Sequence, residues 1–219
     1  MRRKLSFGAA ILAACCCVLT PADASPPGSP AAAPQAAVSL PHDQHEGLTV
    51  SADPYTDAAR AKEKFGKANP LPAGILPVEV SLRNETPQPI RINLNTIQLV
   101  VHFSSGRHED LDWLDTKSVA TAVAHPTGSA TPHAPRIPVG KRGGGDSKTD
   151  KLAEVLDGLV LDTDVVPPMG TIHGFLFFDL GGDLSLAQNA SLYLPEATIL
   201  SSQHPLMFFE VFFRTGSQQ

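Results

Sequence analysis

The sequence predicts an all-β fold, an antiparallel β-sandwich of about seven strands with two short helices. Three observations lead to this prediction. Several segments alternate apolar and polar residues with a period of two, the pattern of a strand with one buried face. Turn-forming Pro, Gly and Asn residues separate these segments. Seven of the 10 phenylalanines lie between residues 175 and 213, where they can fill a core. A small barrel is the alternative architecture.

The first residues are typical of an export signal. Met1 is followed by three basic residues, and the segment Leu5–Leu19 carries no charge, which matches the n-region and h-region of such signals. The uncharged run of about 15 residues is shorter than the roughly 20 that a membrane-spanning helix needs. We therefore expect residues 1–24 to direct export.

Two processing sites compete within this signal. The segment Leu12–Cys15 resembles the lipobox of bacterial lipoproteins, in which cleavage precedes a cysteine that carries diacylglycerol. Cys15 would then be a lipid anchor. The segment Ala22–Ala24 is instead an A-x-A site, with cleavage before Ser25 and no lipid. The expected location is the cell envelope, either lipid-anchored or periplasmic or secreted.

A linker is expected after the signal. Residues 25–47 are rich in Pro, Ala and Ser and offer little that could form a core, so we predict a disordered tether. The domain should then span residues 48–216. All three cysteines lie at positions 15–17, which leaves no thiol nucleophile, Cys-ligated metal or disulfide inside the domain.

The first half of the domain should hold a helix and then strands. Asp53 is a plausible N-cap of that helix and Gly66 a plausible end. The segment Leu76–Arg83 alternates strictly and predicts a half-buried strand. The turn Asn84–Pro89 follows, and alternation resumes over Ile90–Phe103 with a bend near its middle. The two runs around this turn are expected to pair as an antiparallel hairpin.

The second half begins with a long flexible loop, predicted at about residues 116–148, and a short helix over Asp150–Asp157. The segment Thr171–Leu180 is apolar on both faces, so we expect a central strand covered by a second sheet and by a helix or loop. Further strands are predicted at Val160–Val166, Ser191–Leu194 and Leu206–Phe213.

Two segments carry a family resemblance. Val166–Thr171 followed by Gly174–Phe178 resembles the "P-x-G, then G-F-x-F-F" turn and strand of uncharacterised bacterial cell-envelope proteins and lipoproteins, and Val80–Pro89 is similar to their early strand. The resemblance covers residues 75–213. It implies an immunoglobulin-like β-sandwich and an envelope location, and it implies no catalytic residue. The chain lacks the Cys–Trp–Cys core of an antibody domain.

Several motifs invite a chemical interpretation. The cluster His42–Glu46 is the densest group of potential metal ligands, but it matches no zinc-peptidase motif and is interpreted as solvated linker. The segment Gly143–Thr149 lacks the glycines of a P-loop. Asp110, Asp112 and Asp115 lack the spacing of a calcium loop. We therefore assign no catalytic, cofactor-binding or metal-binding residue.

Function follows from composition and location. The net charge of −5 argues against a nucleic-acid partner, and membrane contact is expected only through the lipid anchor. We expect a non-enzymatic binding module, tethered to the membrane, whose partner is an envelope protein or a polysaccharide. The alternative is an envelope metal-binding protein or enzyme whose site assembles only in space. Its candidate residues are His102, His173, His204, Asp179 and Glu210.

Overall fold

A computed structural model describes residues 40–126 and 147–213 of the chain. The predicted export signal with Cys15, most of the linker and the middle of the predicted loop lie outside the described residues. In the described ranges no helix is both long and apolar enough to span a membrane.

The described residues are mostly β, as predicted, and form three antiparallel sheets with three short helices. They contain twelve strands rather than about seven and three helices rather than two, because several strands are only two or three residues long and α2 was not predicted. The strands are β1 (His42–His45), β2 (Leu48–Pro54), β3 (Ile75–Asn84), β4 (Ile90–Ile92), β5 (Gln98–His102), β6 (His108–Asp112), β7 (Val165–Val166), β8 (Thr171–Asp179), β9 (Ala190–Leu194), β10 (Ala197–Ile199), β11 (His204–Pro205) and β12 (Phe209–Phe212). The helices are α1 (Ala58–Phe65), α2 (Thr116–Ala124) and α3 (Ser147–Asp157). Sheet A has the order β1-β2-β3-β8, sheet B the order β11-β10-β4-β7, and sheet C the order β12-β9-β5-β6.

Sheet A separates two apolar cores. On one face of β8, Leu176 and Phe178 join a core that includes residues of sheets B and C. On the other face, Phe175 and Phe177 pack with Phe65 and with residues of α2 and α3. Because successive strand residues point to opposite faces, a strand with two apolar sets needs this double cover.

The double cover of β8 matches the expectation, but its place in the sheet does not. β8 is the last strand of sheet A rather than a central one. Its free edge is covered by other segments: the Leu114 amide donates to the Phe177 carbonyl, and Phe175 exchanges hydrogen bonds with Leu159 and Leu161. These bonds satisfy backbone groups that an exposed edge would leave open.

The predicted hairpin around Asn84–Pro89 is wrong. β3 pairs with β2 and β8, whereas β4 pairs with β10 and β7. The turn therefore leads from sheet A to sheet B. Buried Asn84 holds it in place: its side-chain amide donates to the Gln88 carbonyl at 2.7 Å and its Oδ1 accepts from the Thr86 amide at 2.9 Å.

The first helix begins later than predicted, with Asp57 rather than Asp53 as its N-cap, and the Asp57 side chain accepts from the Arg60 amide. Asp53 belongs to β2, which pairs with β3 along seven residues. The Arg60 guanidinium binds the Asp53 carboxylate and lies 3.7 Å from the centre of the Tyr55 ring. The hydrogen bond to Asp53 raises the pKa of Arg60. Burial, followed by the hydrogen bond to Glu79, raises the pKa of Tyr55.

Both predicted flexible segments extend less far than expected. Residues 42–47, assigned to the linker, form β1 and the turn into β2. Residues 116–124, assigned to the loop, form α2, because the Asp115 side chain accepts from the amide and hydroxyl of Ser118 and so caps this helix. The predicted helix at 150–157 is confirmed and starts earlier, at Ser147.

Candidate functional site

The solvent-facing side of sheet C carries the most unusual surface among the described residues. Leu99, Leu192 and Val211 point into the core, so the alternate residues point outward. The sheet C outer face consists of Glu210 and Phe212 on β12, Ser191 and Tyr193 on β9, Gln98, Val100 and His102 on β5, and His108, Asp110 and Asp112 on β6.

Exposed apolar residues lie along the β12 side of this face. Met207, Phe208 and Phe212 are 63%, 49% and 53% exposed. Phe208 contacts Tyr193 with ring centres 5.6 Å apart and the ring planes inclined at 45°. Met207 and Phe208 precede β12 and Phe212 ends it, with Glu210 between them. Three large apolar side chains exposed along one strand favour a contact surface.

The middle of the face holds a hydrogen-bonded chain of three side chains. Ser191, which is fully buried, donates from Oγ to Oε1 of Glu210 at 2.8 Å. His102 Nε2 lies 2.9 Å from the same Oγ and 3.6 Å from Oε1. A hydroxyl has one proton. Since that proton goes to Glu210, His102 Nε2 must donate to Ser191.

The direction of these hydrogen bonds is opposite to that in a nucleophilic serine site. A catalytic histidine accepts the serine proton and is itself oriented by an acid through its other nitrogen. Here His102 donates, and the carboxylate of Glu210 contacts the serine directly. The complete burial of Ser191 also prevents substrate contact. The chain of three side chains thus stabilises Glu210 and His102 in fixed positions on the face.

Side chains of β1 and its turn stabilise the free edge of β12. Asp43 accepts from the Glu210 amide at 3.0 Å and Glu46 accepts from the Met207 amide at 2.8 Å. His45 Nε2 donates to the Phe208 carbonyl at 3.0 Å. The His45 ring also stacks on Phe209 at 3.8 Å, with an interplanar angle of 6°. We call Asp43, His45 and Glu46 the β1 clamp.

The β1 clamp corrects our interpretation of the His42–Glu46 cluster. These residues are not solvated linker, because three of their side chains replace a neighbouring strand along β12. An edge whose amides and carbonyls are already bonded resists pairing with another chain. The clamp therefore leaves the outer face, rather than the β12 edge, as the accessible surface.

The electrostatics of the outer face are one-sided. The ten residues of the face include Asp110, Asp112 and Glu210 and no Lys or Arg. Gln98 Nε2 donates to Oδ1 of Asp112 at 2.9 Å. The face therefore combines exposed apolar side chains along β12 with acidic side chains on β12 and β6.

The structure disperses the residues of the predicted alternative site. Only His102 and Glu210 come together; His173 and Asp179 lie on β8 in sheet A, and His204 lies on β11 in sheet B. Within residues 40–126 and 147–213 no group of three or more His, Cys, Asp or Glu could hold a metal ion. Of the three aspartates tested against a calcium loop, two lie on the outer face and Asp115 caps α2.

Sequence reasoning did not foresee the outer face. The alternation that places Ser191 and Tyr193 on one side of β9 is visible in the sequence. The position of β9 between β5 and β12 is not, because these pairings join residues about 90 and 20 positions apart. Long-range pairing is decided by the packing of whole sheets.

Comparisons with known proteins leave the family open. No protein-family model and no curated protein matches the chain. The chain is similar to one solved structure, described as a functionally unknown protein from Listeria monocytogenes EGD-e. The two share 13% identity over 79% of this chain and 81% of that chain, with a TM-score of 0.34.

Proposed function

We propose that this chain is an exported, non-enzymatic binding protein of the cell envelope, with an immunoglobulin-like β-sandwich that binds a protein partner through the sheet C outer face. The observation that carries the proposal is the exposure of Met207, Phe208 and Phe212 beside a strand that is bonded on both edges. A rigid surface loses little conformational entropy on binding.

The β12 side of the face has the composition of a protein-binding surface. Aromatic and Met side chains are enriched at such interfaces, where their burial supplies most of the affinity. The six large apolar side chains that are exposed in the described ranges include Leu40, Val155 and Met169. The other three lie on β12 or immediately before it, which favours this strand as the contact surface.

The acidic side chains of the face indicate the partner's chemistry. Asp110, Asp112 and Glu210 would attract Lys and Arg side chains and repel phosphates. A basic, partly apolar protein surface therefore fits best. A polysaccharide is the alternative partner, and the experiment below distinguishes it from a protein.

Export and anchoring rest on the sequence. The basic start and the uncharged run support an export signal, with either a lipid on Cys15 or cleavage after Ala24. The Pro-rich segment after it would hold the domain away from the bilayer. The immunoglobulin-like arrangement is supported by the shared core between sheet A and sheets B and C.

Photo-crosslinking in the native cells tests the proposal. The variant Phe212→p-benzoylphenylalanine should give a covalent adduct on irradiation, and the adduct should be lost on protease treatment of the partner. Adding Phe208→Ser should abolish the adduct, whereas Val155→Ser on α3 should not. The control is matched, because Phe208 is 49% and Val155 is 50% exposed.

Three outcomes would contradict the proposal. Absence of any adduct would mean that the face has no partner under these conditions of growth. An adduct sensitive to glycosidase rather than protease would replace the protein partner with a polysaccharide. An adduct that survives Phe208→Ser would place the contact elsewhere.

A further inference from the structure

A concave surface lies near the edge of sheet C that is opposite β12. A cleft of about 350 Å³ opens where the chain passes from β4 to β5. Leu94 and Asn95 form one wall, Trp113 and Asp115 a second, and Asp162 and Asp164 a third. Its volume lies within the range of roughly 300–1,000 Å³ that small-molecule sites occupy.

Hydrogen bonds between the three walls make the cleft preformed. The Trp113 indole N–H donates to the Leu94 carbonyl at 2.9 Å. The Ile92 amide donates to the Asp164 carbonyl at 2.8 Å. The third wall is also fixed to β8, because the Leu161 amide donates to the Phe175 carbonyl at 3.1 Å. The indole nitrogen is thus occupied, and the ring surface is what Trp113 offers to a ligand.

The cleft is apolar at its base and negative at its rim. Three aspartates line it together with Trp113, and none of its lining residues is Lys, Arg or His. Arg91 lies near Asp164 at 3.8 Å, but both side chains are mostly exposed, at 58% and 61%, so this pair neutralises little. Burial would raise the pKa of Asp115, but the hydrogen bonds from Ser118 and nearby amides outweigh it and lower the pKa.

We propose that this cleft binds a small organic cation, an ammonium group attached to an apolar body. The apolar body would lie on Leu94 and the Trp113 ring, and the ammonium group would face the aspartates. An aromatic ring attracts a cation above its face, most strongly when the ring is tryptophan. A neutral or anionic molecule of the same shape would gain the apolar contact without the attraction.

Trp113 reports directly on this proposal, because it is the only tryptophan in the chain. Its fluorescence should change saturably when the protein is titrated with benzyltrimethylammonium. Benzyl alcohol and benzoate, titrated in the same way, should give no saturation over the same concentration range. Asp162→Asn should weaken the binding of benzyltrimethylammonium roughly two- to fivefold, since each exposed ion pair contributes little.

Asp110→Asn on the sheet C outer face is the matched control and should leave the affinity unchanged. Titration calorimetry measures the same binding without fluorescence. By this method, Trp113→Phe should lower the affinity for benzyltrimethylammonium while the protein stays folded. Equal binding of benzyl alcohol, no effect of Asp162→Asn, or no saturation up to millimolar concentration would overturn the cation site. None of these results bears on the partner proposed for the outer face.

Discussion

Gly174 on β8 is the position where a single added methyl group should do the most local damage. A Cβ at this residue would lie 2.6 Å from both the Cα and the backbone nitrogen of Leu161, and 2.9 Å from its Cβ. Carbon atoms in contact prefer separations of about 3.5–4.0 Å. Gly174→Ala must therefore displace the chain at Leu161 by about 1 Å, since a backbone atom cannot rotate away as a side chain would.

The expected loss of stability follows from the contacts that this displacement breaks. Overpacking typically costs about 1–3 kcal/mol. The segment also holds two hydrogen bonds to Phe175, of 2.9 and 3.1 Å, each worth about 0.5–1.5 kcal/mol. Alanine recovers up to about 1 kcal/mol because it restricts the unfolded chain more than glycine does. We expect the free energy of unfolding to fall by about 2–4 kcal/mol.

Urea denaturation of the purified variants measures this loss. Gly158→Ala is the control, because the nearest atom to its added Cβ is the Val155 carbonyl oxygen at 3.7 Å, an ordinary contact. That variant should change the unfolding free energy by no more than about 1 kcal/mol, in the stabilising direction. Truncating Leu161→Ala in the Gly174→Ala background should not restore stability, because the clash is with backbone.

Hydrogen exchange locates the damage. The amides of Phe175 and Leu161 should exchange faster in Gly174→Ala than in the parent protein, since each donates across the displaced contact. If Gly174→Ala is as stable as Gly158→Ala, the close approach of residues 159–161 to β8 is wrong, and with it our account of how that edge is covered.

Three further predictions concern the clamp, the α2 cap and the anchor. Asp43→Ala should lower the free energy of unfolding by about 1–3 kcal/mol, because it leaves the partly buried Glu210 amide without its acceptor. Urea denaturation measures this loss, and an unchanged midpoint would show that water replaces the carboxylate. Asp115→Ala should cost about 1 kcal/mol and Asp115→Asn much less, since asparagine also caps. The pKa of Asp115 is lowered in the folded state. The stabilisation that its carboxylate provides is therefore present above its ordinary pKa and is lost as the pH falls through the folded-state pKa. Asp115→Asn should flatten the acid side of the curve of unfolding free energy against pH, and identical curves for the variant and the parent protein would contradict the cap. Cys15→Ser should release the protein from the membrane fraction or leave an unprocessed precursor, whereas a parent protein whose intact mass begins at Ser25 without lipid would eliminate the anchor.

Local signals predicted individual elements well. The alternation in Leu76–Arg83 and the two apolar faces of Thr171–Leu180 both correspond to strands that the structure contains, β3 and β8. The helix predicted over Asp150–Asp157 is also present. Each of these signals depends on residues only two to four positions apart, and such spacing decides which faces of an element are apolar.

Competition between neighbouring signals explains the error at the start of the first helix. Asp53 is followed by Pro54, a good helix start, yet the pairing of β2 with β3 includes both residues. Asp57 offers an equivalent cap only four residues later. A ladder that buries Leu48, Val50 and Ala52 contributes more than the choice between two caps, which is worth about 1 kcal/mol.

By itself, the sequence determined that the described part of this protein is mostly β, that β8 is apolar on both faces, and that turns separate its strands. Only the tertiary structure decided that β4 leaves β3 for another sheet, that the His42–Glu46 cluster secures β12, and that His102 meets Ser191 and Glu210. Alternation records which side of a strand is buried but not which strand lies beside it. That choice depends on the combined burial of sheets whose residues are far apart in the chain, so the outer face and the cleft became visible only after the sheets were assembled.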